Sequence, residues 1–236
     1  MLTLKVLSLL LSYPEAETLA ALDEMAAVIE QEKLLPRDNK KPVLALINSY
    51  LGADLLDLQE HYVALFDRGR YVSLHIFEHV HGESRDRGQA MVNLLQMYEA
   101  LGFEMSTHEL PDYIPLFLEF LSQQEPAEAI KLLQDAMPVL SLLGARLAER
   151  GSKFKAIFDS LEGLAGEPEG INEIRQQAAT ETPDETLLHM DEIWEEEAVS
   201  FMGAGDSCQT KKAAETISPI TITSRDQFLK SQNRSL

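Results

Sequence analysis

The sequence predicts an all-α protein, and three observations carry that prediction. Apolar residues between positions 1 and 165 recur at three- and four-residue spacing, the signature of helix faces turned to a core. No stretch there alternates cleanly with period two between turn residues, as a half-buried strand would. No tandem repeat of fixed period is present, so the helices belong to one domain rather than to a solenoid.

The elements follow in order. Residues 2–12 are mostly apolar but hold Lys5, lack a basic leader and a small-residue cleavage site, and run into Tyr13-Pro14-Glu15. They read as a short core helix rather than a signal peptide. The spacing continues over 15–32 and 41–51. Asp54 is the N-cap expected for a helix over 54–66; Ser84 opens and Gly102 stops one over 84–101. Helices over 112–123 and 126–148 come next, and Pro138 inside the second removes a backbone hydrogen bond, which predicts a kink. Ser152, after the break at Gly151, starts a helix over 152–164. No stretch approaches the roughly 18 uncharged apolar residues that a membrane span requires.

Charge divides the chain. Of its 236 residues 39 are Asp or Glu and 20 Lys or Arg, a formal net charge of −19. That surplus excludes nucleic acid and anionic lipid as default partners, because both need cations. Residues 167–200 hold 11 acids and a single base, Arg175, so about half the imbalance lies in one short segment. Gly163, Gly166, Pro168 and Gly170 mark its start. We therefore expect a helical domain over 1–166, an acidic appendage over 167–200 and a flexible tail over 201–236. Within the appendage, Thr182-Pro183-Asp184-Glu185 supplies a cap, a first-turn proline and a capping-box glutamate for a helix over 184–199. The lone Cys208 excludes an internal disulfide framework and multi-cysteine metal sites, as expected of a cytoplasmic protein.

One block differs from ordinary helix. Residues 65–89 hold three of the six histidines, His75, His79 and His81. Arg68, Arg70, Arg85 and Arg87 alternate there with Asp67, Glu78, Glu83 and Asp86, beside Gly69, Gly82 and Gly88. Three readings stand. The block is an ion-pair network that fixes a corner between two helices. Or His75, His79 and His81 with Glu83 hold a metal, making the protein a metal-dependent enzyme or metal carrier, although the order is not His-Glu-x-x-His and Gly82 interrupts the helix. Or the arginines grip an anion, in competition with the acids beside them and with no phosphate-loop motif to help. No Ser, Cys or Lys stands in a local sequence that marks a nucleophile.

The run Phe66-Asp67-Arg68-Gly69-Arg70, with Phe77-Glu78-His79-Val80-His81-Gly82-Glu83-Ser84-Arg85-Asp86-Arg87-Gly88-Gln89-Ala90-Met91, resembles the assembly chaperones of respiratory nitrate reductase, the NarJ type. The resemblance extends to Glu109-Leu110-Pro111-Asp112 with Pro115, Leu118 and Glu119, and to Trp194-Glu195-Glu196-Glu197 with Phe201. It implies the all-α single-domain fold of the molybdoenzyme (TorD-like) maturation chaperones. It implies a chaperone without catalytic activity or cofactor of its own, which binds the immature catalytic (alpha) subunit of nitrate reductase through an N-terminal leader-like segment. It also implies support for insertion of the molybdenum bis-guanine-dinucleotide cofactor before membrane attachment. Wider relatives often carry Asp-His where this chain has Asp112-Tyr113, and a tyrosine does not titrate near neutral pH.

A client segment of this kind suits a groove with apolar anchors and a charged rim. Tyr62, Phe66, Leu110, Ile114, Phe117 and Leu118 are the groove candidates. Asp67, Glu78, Glu83, Asp86 and Asp112 are expected to line or brace it, with Arg68, Arg70, Arg85 and Arg87 holding those acids by bidentate pairing. His79, His81, Tyr113 and Glu119, inside the same family blocks, complete the candidate set.

Overall fold

The computed structural model describes residues 1–81, 85–105 and 109–181, all within the first of two compact units, Met1–Met190. The expected acidic helix over 184–199, the tail over 201–236, Glu83 and the expected cap Ser84 lie outside the described residues.

Eleven helices are described: α1 (Leu2–Leu11), α2 (Ala16–Ala20), α3 (Leu22–Gln31), α4 (Arg37–Tyr50), α5 (Leu55–Phe66), α6 (Ile76–Val80), α7 (Asp86–Ala100), α8 (Ile114–Gln123), α9 (Pro126–Glu149), α10 (Lys155–Ala165) and α11 (Ile171–Thr180). The protein is all-α. Among the described residues the only extended pairing is a single antiparallel bridge between His75 and Tyr113.

α1 and α8 pack against each other at the centre, and α9 packs with α10 and α11; α4 joins α10 to α3. The apolar excess of α1 follows from its position, since Leu4, Val6, Leu7, Leu10 and Leu11 are all buried. Ser8, buried among them, donates to the carbonyl of Pro115 at 2.7 Å and so satisfies its hydroxyl against α8. α9 and α10 approach closely at Gly144, where an added Cβ would lie 2.8 Å from Cβ of Phe158.

Several boundaries differ from expectation. The helix expected over 15–32 breaks at Ala21, whose amide donates to Thr18 in a tightened turn. α2 buries nothing, whereas α3 turns Leu22, Met25 and Ile29 inward, so the break re-aims the chain at the core. α4 begins at Arg37, four residues before the expected start, because its polar first turn carries no apolar period; Asn39 there donates to the carbonyl of Asp159 at 2.6 Å. α9 runs continuously past the exposed Pro138. Asp54 caps α5 as expected, accepting the amide of Leu56 at 2.8 Å. Gly102 follows α7 in the left-handed region (φ 78°). Two helices were not expected: α6, and α11, whose one fully buried residue is Ala178.

Candidate functional site

The charged block folds into a corner around α6. Five residues are too few for an independent helix, so attachments must hold it. Two are backbone bonds: the amide of Ile76 donates to the carbonyl of Asp112 (3.0 Å), and the amide of Ile114 to that of Leu74 (2.8 Å).

The third is the Asp112 side chain, which is 0% exposed. Its Oδ2 accepts the backbone N–H of Phe77 at 3.1 Å in the first turn of α6, and its Oδ1 faces Nδ1 of His75 at 3.4 Å. Burial works against the Asp112 carboxylate, but the hydrogen bonds from His75 and Phe77 outweigh it, and the group lies below the usual carboxylate range. The hydrogen bond to Asp112 raises His75 above its ordinary value despite partial burial.

His79 anchors the other end. Its Nε2 donates to the carbonyl of Ser73 at 2.8 Å, and its Nδ1 accepts from Nη1 of Arg146 at 3.1 Å. An arginine only donates, so this network assigns the neutral Nε2–H tautomer. Burial, reinforced by the Arg146 charge, lowers His79 below its ordinary value. Two histidines four residues apart are thus shifted in opposite directions.

Arg87 of α7 donates to Glu78 of α6 at 3.2 Å, while its buried Nε has no hydrogen-bond partner among the described residues. Below α6, Tyr113 and Tyr62 share a hydroxyl contact at 3.0 Å, and Tyr62 donates onward to the carbonyl of Leu11 at 3.1 Å. Burial pushes the Tyr113 hydroxyl up to about 12. The His75 ring sits 5.5 Å from that of Tyr113, so a titratable histidine does stand beside this position, delivered from another element.

Of the candidate groove residues, Tyr62, Phe66, Ile114, Phe117 and Leu118 are buried in the core, and Leu110 is 41% exposed. Asp67, Arg68, Arg70, Arg85 and Asp86 are exposed; His81 is half-buried with its ring 5.7 Å from that of Phe77. Glu119 is half-buried and pairs with Lys5 of α1. Asp86 makes no ion pair among the described residues, and Arg87 meets Glu78 through one nitrogen.

A bidentate pair forms outside the block. Arg146 of α9 grips Glu181 through Nε (2.7 Å) and Nη2 (2.8 Å). Sequence reasoning missed both residues, along with the Ser73 carbonyl and Tyr71. A signal for Arg146 existed: it is a charge on the helix face that carries Leu140, Leu143 and Leu147, and such a residue stays buried only when paired.

The inner histidines of the corner are held by the fold rather than presented to a ligand. Both nitrogens of His79 are used, and His75 faces Asp112 instead of His79. Among the described residues no three His, Cys, Asp or Glu side chains are placed to hold a metal ion. Around the corner apolar and acidic side chains are exposed, as are the basic Arg68, Arg70 and Arg85. Val80, Val92, Leu101 and Leu110 are exposed, as are Glu99, Glu104 and Glu109, and Tyr98 ties α7 to the loop of Leu110 by donating to the carbonyl of Pro111 at 2.9 Å.

The family model described as nitrate reductase delta subunit matches residues 14–158. The nitrate reductase molybdenum cofactor assembly chaperone NarJ of Escherichia coli (strain K12) is 43% identical over 213 residues, covering 89% of this chain and 90% of that protein. The probable chaperone NarW of the same strain is 41% identical over 84% of this chain and 83% of its own length. A probable NarJ of Bacillus subtilis (strain 168) is 31% identical over 68% of this chain and 86% of that protein. With a family model over more than half its length and relatives matched nearly end to end, the chain belongs to the nitrate reductase delta subunit family, among its NarJ-type assembly chaperones.

Proposed function

We propose that this protein is the assembly chaperone of a respiratory nitrate reductase. It binds the immature catalytic subunit in the cytoplasm and supports insertion of the molybdenum bis-guanine-dinucleotide cofactor into that client before membrane attachment. It carries no cofactor and no catalytic activity of its own. The observation that carries this reading is that the inner residues of the charged corner are committed to holding the fold, while Asp67, Arg68, Arg70, Arg85 and Asp86 lie on its surface. Asp112 accepts the Phe77 amide and faces His75, and His79 bonds the Ser73 carbonyl and Arg146, contacts that support a shaped corner for a partner.

The client's N-terminal leader-like segment is the partner we assign to the adjacent surface. Exposed Leu101 and Leu110 offer apolar anchors, and exposed Glu99, Glu104 and Glu109 offer a rim for its basic residues. In this reading the buried candidates Tyr62, Phe66 and Leu118 brace the surface from beneath.

Co-purification with the catalytic subunit tests the function, using the full chain and a Leu101→Ser/Leu110→Ser variant. We expect capture by the wild type, and loss of capture by the variant with its unfolding temperature unchanged. Failure of the wild type to capture immature subunit would overturn the function, whereas full capture by the variant would move the client site elsewhere. Titration with the leader peptide tests the rim separately: affinity should fall as salt rises, and indifference to salt would sink the electrostatic part.

A further inference from the structure

Arg146 lies where four segments meet. It is 9% exposed, the most buried cation among the described residues, and its donors are nearly all spent. Nε and Nη2 hold the carboxylate of Glu181, just past the end of α11. Nη1 holds the carbonyl of Tyr71 at 2.9 Å and Nδ1 of His79 at 3.1 Å. The guanidinium also lies 4.5 Å from the centre of the Tyr71 ring.

Tyr71 closes the circuit. Its hydroxyl donates to the carbonyl of Ala178 in α11 at 3.2 Å, so the segment before α6 is tied to α11 directly as well as through Arg146. Both elements joined in this way bury few side chains of their own. α6 is five residues long, and α11 fully buries only Ala178. Neither buries as much apolar surface as α1 or α8, so the shared polar connection adds to the Asp112 attachments of α6 and to the packing of α11 on α9.

We propose that Arg146 and Glu181 form a latch through which the docking of α11 sets the order of the charged corner. With the latch closed, Arg146 is aimed at Tyr71 and His79 and α6 is held. When Glu181 lets go, the guanidinium loses the fork that orients it, and α6 and α11 loosen together.

Hydrogen exchange of the full-length protein tests this without any client, so its failure is distinguishable from failure of the chaperone reading. Three variants are compared with wild type: Glu181→Gln, Arg146→Lys, which keeps the charge but loses the fork, and the control Glu173→Gln on the exposed side of α11. The first two should each raise exchange in both 71–81 and 171–181 by about tenfold or more, as loss of charge-assisted hydrogen bonds implies. The control should change neither segment. Faster exchange in 171–181 with 71–81 unchanged would overturn the latch. So would a rise spread equally over α1 and α8, since that reports general destabilisation, and so would no change in either segment.

Discussion

Oδ2 of Asp112 lies 3.1 Å from the backbone nitrogen of Phe77, so a residue just before α8 caps a helix 35 positions earlier in the chain. The first amides of any helix lack intrahelical acceptors, and a local Ser, Thr, Asp or Asn usually supplies one. At α6 the N-cap residue is His75, which provides no side-chain cap. A carboxylate from across the corner takes its place and adds a negative charge at the positive end of the helix. α1 uses the same device, since Glu32 accepts the amide of Thr3 at 2.6 Å.

Asp112→Ala removes an acceptor that is wholly inside the protein and leaves the Phe77 amide and His75 without their partner. The expected cost is about 3 kcal/mol. Asp112→Asn keeps an acceptor for the amide and should cost about 1 kcal/mol. Urea unfolding of the two variants beside wild type measures both, and equal stability of the Asn and Ala variants would remove the capping role.

His75 and His79 should titrate on opposite sides of their ordinary value of 6.5, His75 above and His79 below. A raised folded pKa means that His75 contributes stability present below 6.5 and lost as pH rises through its folded value. A lowered one means that His79 contributes stability present above 6.5 and lost as pH falls through its folded value. His75→Gln should therefore flatten the alkaline side of the stability profile and His79→Gln the acid side. NMR titration of the two rings, with Tm followed either side of 6.5, checks the order.

Gly144→Ala places a methyl 2.8 Å from Cβ of Phe158, and that side chain is buried and has nowhere to go. α9 and α10 must separate, at about 2 kcal/mol. Gly163→Ala meets Asn39 and Pro36 at 3.0–3.2 Å, a smaller overlap that the gain of about 1 kcal/mol in helix propensity offsets. It should be close to neutral. Thermal unfolding of both variants distinguishes a packing constraint from a general intolerance of glycine replacement.

Glu119→Gln should be mild although Glu119 belongs to a family block. Its pair with Lys5 is about a third exposed on each side, and solvent screening holds such pairs to roughly 0–1 kcal/mol. Loss of more than that in denaturant unfolding would show that Glu119 supports the α1–α8 packing in some further way.

Most helices were legible because each answers to a local cause. α5 has its Asp54 cap, α7 has Gly102 behind it, and α1, α8, α9 and α10 carry apolar residues at helical spacing. α6 and α11 were not, because neither has a side-chain cap and each carries few apolar residues: α6 is held by Asp112 and His79, and α11, which packs on α9 with Ile171, Ile174 and Ala178 inward or half-buried, is tied as well by Arg146 and Tyr71. The candidate site divided in the same way. The block at 65–89 was visible from its composition, and Arg87 and Glu78 pair within it, but Phe77 and His79 take their partners Asp112 and Arg146 from elsewhere in the chain.

The sequence by itself determined the helical class, the family and the place along the chain where charged side chains gather, since periodicity, motif and composition are properties of order. Tertiary structure decided which partner each of those side chains meets. Asp112 faces Phe77 and His75, and Arg146 faces His79 and Glu181, across separations of 35 to 67 residues. The physical reason is that a buried charge must be satisfied by whatever donor or acceptor packing brings within about 3 Å, and helix packing, not sequence proximity, sets that neighbourhood.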